Sequence, residues 1–141
     1  MGQSKQWSRL DNAAKIFPPT SSKRDTKVFR FVCELKEPVD GSVLQRASEK
    51  AVEAFPLYRS VLKKGLFWYY FEESGFRPRV QEENLPVCAP IYSAEKPGLL
   101  FRVSYYGRRI NFEIFHALAD GTGALQFLRT MIFAYLAEKY G

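Results

Sequence analysis

The segment 98–116, GLLFRVSYYGRRINFEIFH, constrains the fold most, because two runs of β-prone residues flank a glycine–arginine pair. This pattern predicts an antiparallel hairpin that turns at Gly107 and Arg108. Side chains alternate between the two faces of a strand, so four residues of the second strand are predicted to share one face: Ile110, Phe112, Ile114 and His116. The single histidine of the chain is therefore predicted to stand where an apolar strand ends.

Other segments predict further strands and two helices. VFRFVCEL (28–35) alternates with one strongly apolar side, which predicts a strand, and LYRSVLKKGLFWYYFEESG (57–75) predicts a hairpin joined at Lys64 and Gly65. DGSVLQRASEKAVEAF (40–55) has a helical apolar stripe, with Asp40 as the N-cap and Pro56 as the stop. TGALQFLRTMIFAYLAEKY (122–140) predicts a second helix that begins near Asp120 or Thr122. Residues 1–26 are predicted to be irregular, and 76–97 a loop with a short extended piece near Val80.

The predicted order, β-α-β-β-loop-β-β-α, indicates an α+β fold with a mixed, largely antiparallel sheet and helices packed on one face. A length of 141 residues suits one domain, 1–141. The last helix is apolar around most of its circumference, and one sheet cannot cover all of it. We therefore expect an uncovered apolar face there, which is typical of an interaction site.

Composition excludes several classes of function. The net charge of +6 suggests a nucleic-acid-binding protein. The basic pairs are spread along the chain, however, which favours their interpretation as solvated charges at turns, and no nucleic-acid partner is predicted. No stretch reaches the roughly 18 apolar residues needed to span a bilayer, and no signal sequence or myristoylation pattern is present, which predicts no membrane partner. Cys33 and Cys88 have no metal-ligand spacing, and we predict buried free thiols and a cytoplasmic location.

A short connection between the last predicted strand and the last predicted helix contains His116, Asp120 and Gly121. Rigid scaffolds often present reactive groups on such connections. An imidazole can accept a proton near neutral pH. Asp120 could orient that ring, hold an arginine or cap the helix. The alternative interpretation is a core histidine followed by an ordinary Asp-Gly turn.

The sequence HALADG (116–121) matches the HxxxDG signature of the CoA-dependent acyltransferase superfamily, which includes chloramphenicol acetyltransferases, BAHD acyltransferases and condensation domains. Upstream, RLDNAAKIFP and FPLYRSVLKKGLFWYYFE resemble bacterial alcohol acetyltransferase-like proteins. The resemblance runs from about Leu10 to the end of the chain, and it implies the N-terminal half of a chloramphenicol-acetyltransferase-like fold.

This resemblance implies roles for the three motif residues. His116 corresponds to the general base, Asp120 to an aspartate that supports the structure through an arginine, and Gly121 to a glycine that keeps the substrate channels open. Acyl-CoA would be the co-substrate, with no tightly bound cofactor and no metal, and a small molecule would be the acceptor. Phe115 replaces the second histidine of condensation domains, which favours transfer from CoA to a small acceptor over amide formation.

The C-terminal half of the family has no counterpart in the sequence, including its DFGWG-type motif. We therefore expect the isolated chain to fold without tight CoA binding or turnover, and to pair with a missing C-terminal half or with itself. The alternative is a non-catalytic binding or assembly module that keeps the fold. A basic nucleic-acid-binding domain has only net charge in its favour.

Overall fold

A five-stranded mixed sheet forms the centre of the protein, and the computed structural model describes residues 13–21, 27–93 and 95–141. The strands are β1 (Ala14–Ser21), β2 (Val28–Leu35), β5 (Gln81–Glu82), β6 (Phe101–Tyr106) and β7 (Arg109–Phe115). Their order in the sheet is β1-β2-β7-β6-β5, and only β5 and β6 run parallel.

Two helices and a separate hairpin complete the described structure. The helices are α1 (Gly41–Ala54) and α2 (Gly121–Tyr140), and a 3₁₀ turn (Pro56–Arg59) leads into the hairpin of β3 (Ser60–Lys64) and β4 (Tyr69–Glu73). The predicted α+β class with a mixed, largely antiparallel sheet is confirmed.

Both helices pack on one face of the sheet and form a single apolar core with it. The sheet contributes alternate residues of its central strands: Phe29, Phe31, Cys33, Leu35, Phe101, Val103, Ile110, Phe112 and Ile114. Asp40 begins α1 as predicted, because its Oδ1 accepts the backbone N–H groups of Ser42 at 3.1 Å and Val43 at 3.3 Å. The period-two and helical patterns therefore define the core correctly.

The prediction of an uncovered apolar face on α2 is wrong for the described residues. Seven of its side chains are buried: Ala124, Phe127, Leu128, Met131, Ile132, Tyr135 and Leu136. Leu125 and Phe133 are half-buried, and Tyr140 is the one large apolar side chain of α2 that is exposed. The sheet and α1 cover more of the helix than a count of apolar residues suggested.

The opposite face of the sheet carries a buried polar cluster, which the alternation in β2 did not reveal. Glu113, 1% exposed, accepts hydrogen bonds from Arg30 Nε at 3.0 Å and Arg102 Nη2 at 2.7 Å, and from the Cys88 backbone N–H. Glu83 adds a second carboxylate, bonded to Arg30 at 2.9 Å and to Arg109 at 2.6 Å. A buried charge of this kind requires such partners.

Glu83 shows the electrostatic effect of this network. Burial by itself would raise the pKa of the Glu83 carboxyl group, but hydrogen bonds and charges from Arg30 and Arg109 outweigh it, and the pKa is lowered. The ionised form is therefore stabilised in the folded protein. Because the folded pKa is depressed, this contribution is present above the unfolded pKa and is lost as the pH falls through the folded pKa.

Three boundaries differ from the sequence-based predictions. Residues 14–21, predicted to be irregular, form β1 at the sheet edge, and its register with β2 shifts between Phe17 and Thr20, where two prolines stand. β7 ends at Phe115, one residue before His116. The first hairpin turns over residues 65–68, which include the predicted Gly65, whereas Lys64 is the last residue of β3. The second hairpin turns at Gly107 (φ +58°) and Arg108 as predicted, and Cys33 and Cys88 are buried as predicted.

We predict that Glu113→Gln lowers the free energy of unfolding by about 3 kcal/mol, because Arg102 loses its counter-charge and Arg30 keeps only Glu83. Chemical denaturation measures the loss. Glu138→Gln is the matched control, because Glu138 pairs with Arg46 at 2.6 Å on the surface, where ion pairs contribute little. Equal losses in the two variants would contradict a structural role for the buried network.

Candidate active site

His116 is the first residue beyond β7 and is exposed at the rim of the sheet. Its backbone N–H donates to the Lys27 carbonyl oxygen at 2.6 Å. Its ring lies edge-on to Phe29, with ring centroids 5.3 Å apart. Phe29 belongs to the core face of β2, so the imidazole lies on the predicted face but outside the core. The interpretation of His116 as a buried core histidine is therefore wrong.

The connection from His116 to α2 is a tight turn anchored in the core. The Leu118 N–H donates to the Phe115 carbonyl oxygen at 2.9 Å, and the Leu118 side chain is buried. A turn with one buried apolar side chain and fixed backbone bonds has little conformational freedom. The imidazole is thus presented from a backbone that is held at both ends.

Asp120 is the N-cap of α2. Its Oδ1 accepts the Gly123 N–H at 2.8 Å, and its carbonyl oxygen accepts the Ala124 N–H at 2.9 Å. Within the part of the chain that the structure describes, no ion pair or hydrogen bond joins the Asp120 side chain to an arginine or to His116. Of the three roles considered for this residue, the geometry supports the cap.

Gly121, at the first position of α2, borders open space. A Cβ atom added at Gly121 would meet no atom within 4 Å, whereas one at Gly123 would lie 3.3 Å from Asp120 Oδ1. The packing of the described residues therefore requires no glycine at position 121. This open volume lies on the same short connection as His116.

Tyr58 supports this site and was not singled out from the sequence. Its hydroxyl donates to the Gly123 carbonyl oxygen at 3.3 Å, and its ring stacks on Phe127 at 4.0 Å. Burial, followed by the charge of Asp120, raises the pKa of the Tyr58 hydroxyl, which therefore remains a proton donor. Tyr58 follows a helix-ending proline in the sequence, and no local pattern there indicates a contact 65 positions away.

The motif residues lie on an open surface. His116, Asp120 and Gly121 are exposed, and none of them lines the described cavities of about 280, 370 and 230 Å³. Among residues 13–21, 27–93 and 95–141, no group of histidine, cysteine and acidic side chains is arranged to hold a metal ion. In the same residues, no helix combines the length and apolar character needed to cross a membrane.

Neither known protein families nor curated proteins provide a match to this sequence. The assignment of a role to the site therefore depends on its geometry. An exposed imidazole on a fixed turn can accept and return a proton. The open space at Gly121 could admit a substrate.

We predict that Asp120→Ala lowers the free energy of unfolding by about 1 kcal/mol, because it removes the acceptor for the Gly123 N–H. Asp120→Asn should cost less, since an amide oxygen also caps a helix and only the charge is lost. Thermal or chemical denaturation of both variants measures this order. If Asp120→Asn were as destabilising as Asp120→Ala, the carboxylate charge would be the essential feature, as in an arginine pair.

Proposed function

We propose that this protein takes part in acyl transfer from acyl-CoA to a small acceptor, with His116 as the general base. The observation that carries the proposal is the position of the single imidazole, exposed at the end of β7 on a turn held by backbone bonds. The HxxxDG pattern of residues 116–121 agrees with it. The proposed location is the cytoplasm.

The proposed chemistry needs one proton acceptor. The imidazole of His116 removes the proton from the acceptor hydroxyl while the hydroxyl oxygen attacks the thioester carbonyl carbon. When the tetrahedral intermediate collapses, the carbon–sulfur bond breaks and the imidazolium returns its proton to the departing CoA thiolate. An amine or thiol acceptor would follow the same sequence of steps.

The other motif residues act through position. Asp120 fixes the first turn of α2 through its cap, and this sets the distance between the imidazole and the helix. Gly121 leaves the adjoining volume free for substrate. The open rim provides one wall of a site, so the proposal includes a second wall from a complementary half or a second copy, which would exclude water from the reaction.

The alternative is a non-catalytic binding or assembly module with the same fold. In that case the imidazole would be a surface side chain without a chemical role. The two proposals make opposite predictions for substitutions at His116.

We predict that His116→Ala in the full-length protein lowers acyl transfer by about two to four orders of magnitude, because it removes the proton acceptor. The rate is measured as thiol release from acetyl-CoA with a panel of alcohols. Since the ring is exposed, the melting temperature should change little. Gln126→Ala, an exposed change on α2, is the control. Activity within a few-fold of the wild type would exclude His116 as the base and favour the assembly module.

We predict that Gly121→Ala leaves the stability unchanged or slightly higher, because the added Cβ meets no atom and the unfolded chain loses freedom. Acyl transfer should nevertheless fall, because the methyl group narrows the space beside the imidazole. Gly123→Ala is the matched comparison, and its Cβ would crowd the Asp120 cap and lower stability. Full activity in Gly121→Ala would show that the open volume is not used by a substrate.

A further inference from the structure

The longest run of exposed large apolar side chains among the described residues lies on the hairpin of β3 and β4. Its turn, here called the tip, consists of Leu66, Phe67 and Trp68, which are 89%, 81% and 67% exposed. Tyr69, Tyr70 and Phe71 continue the exposed series along β4. Six consecutive large apolar or aromatic side chains in contact with water are costly, and such patches mark interaction surfaces.

The tip is a defined turn. The Gly65 N–H donates to the Trp68 carbonyl oxygen at 2.7 Å and closes the loop. A Cβ at Gly65 would lie 2.9 Å from that oxygen, so glycine is required for the close approach. The backbone therefore holds the three tip side chains together at one end of the hairpin.

The chemical character of the side chains changes along the hairpin. Next to the apolar tip, Lys64 pairs with Tyr69 in the ladder, and Lys63 pairs with Tyr70. The carboxylates Glu72 and Glu73 lie opposite Val61 and Ser60. They are three and four residues beyond Tyr69, so their backbone is about 10 Å or more farther from the tip than that of Tyr69. Lysines and tyrosines thus adjoin the tip, and the carboxylates lie farther along the hairpin.

The two lysines are available to an external anion. Lys64 forms no ion pair with any residue that the structure describes, and Lys63 has only an exposed contact with Glu72 at 3.5 Å. Exposed pairs of this kind are weak and easily exchanged. Long lysine side chains can extend toward phosphate groups while their methylene stems remain on apolar surface.

We propose that the hairpin docks on the surface of an anionic phospholipid bilayer, with the tip inserted among the acyl chains. Tryptophan and tyrosine prefer the membrane interface, and lysines there contact anionic headgroups. A bilayer accepts three protruding side chains without a complementary pocket, whereas a rigid protein partner would need one. With the tip among the acyl chains, the lysines lie at the level of the anionic headgroups and the carboxylates lie farther out, toward water.

This contact is peripheral, and it is independent of acyl transfer. The sequence predicts no membrane partner because it lacks a spanning segment, a signal sequence and a lipidation motif. None of those features is needed by a hairpin that inserts only its tip. Failure of the docking experiment would therefore leave the proposed function at His116 unaffected.

The docking experiment uses Trp7→Phe protein, in which Trp68 is the remaining tryptophan of the two in the sequence. The protein is mixed with vesicles of phosphatidylcholine containing phosphatidylserine, and with vesicles of phosphatidylcholine alone. We expect co-flotation with the anionic vesicles, a blue shift of Trp68 emission and quenching by brominated acyl chains. Binding should weaken as salt is added, because headgroup attraction is screened.

Two variants and one control test the surface directly. Replacing Leu66, Phe67 and Trp68 by serine should weaken flotation about tenfold or more, since the inserted apolar area is lost. Lys63→Glu with Lys64→Glu should weaken binding only to the anionic vesicles and keep the Trp68 reporter. Leu85→Ser with Val87→Ser removes two side chains, each 46% exposed, from outside the hairpin and should leave binding unchanged.

Several outcomes would overturn the proposal. One is no flotation with either vesicle, and another is binding without any change in Trp68 emission or quenching. A shift of Trp68 emission by a single-stranded oligonucleotide, but not by vesicles, would assign the hairpin to nucleic acid instead. Lipid-free self-association that the triple serine variant abolishes, without vesicle binding, would assign it to a second copy of the chain. If the triple variant fails to fold, the lysine variant and the quenching result decide.

Discussion

The packing around Phe127 is the interaction on which the rest of the structure depends. Its buried ring stacks on Tyr58 at 4.0 Å and on Phe112 at 5.2 Å, and it meets Phe101 at 5.3 Å. Phe127 of α2 therefore contacts two other parts of the chain: the second hairpin, through its strands β6 and β7, and the 3₁₀ turn before the first hairpin. Aromatic pairs of this kind contribute beyond their buried area. The position of α2 relative to the end of β7, and with it the site at His116, follows from this contact.

The two faces of the sheet are stabilised by different kinds of interaction. On the helix-covered face, burial of apolar surface is non-directional and tolerates changes that conserve volume. On the other face, Glu113 joins two arginines and a backbone N–H, and each bond has a required geometry. Segment 83–89 is attached to the sheet at both ends, because Glu83 pairs with Arg30 and the Cys88 N–H donates to Glu113. The ionic interactions on this face therefore hold segment 83–89 in place, while burial on the apolar face supplies most of the driving force for folding.

The elements with a single clear period could be predicted from the sequence, and those that depend on distant partners could not. The core face of β2, the Asp40 cap, the turn at Gly107 and the start of α2 all follow from local patterns. Arg30 and Glu113 are 83 positions apart, so an alternating pattern shows them as polar residues and gives no sign of their burial. The exposure of the aromatic hairpin was missed for a related reason, because hydrophobicity alone does not indicate whether a surface is covered. Of the candidate site, the cap by Asp120 was among the predicted roles, whereas Tyr58 and the exposure of His116 needed the three-dimensional structure.

The burial of Cys33 determines how this side chain reacts with electrophiles. Its thiol is fully buried in β2, and burial raises its pKa to about 12, so almost no reactive thiolate exists while the sheet is intact. Alkylation of Cys33 requires β2 to separate from its neighbours, and the labelling rate then reports how often the central sheet opens. The folded chain should therefore add little background from Cys33 when a thiol-reactive dye is used to follow CoA release. Cys33 therefore contributes little signal when thiol release is followed in the folded protein, and its labelling rate measures the opening of the sheet.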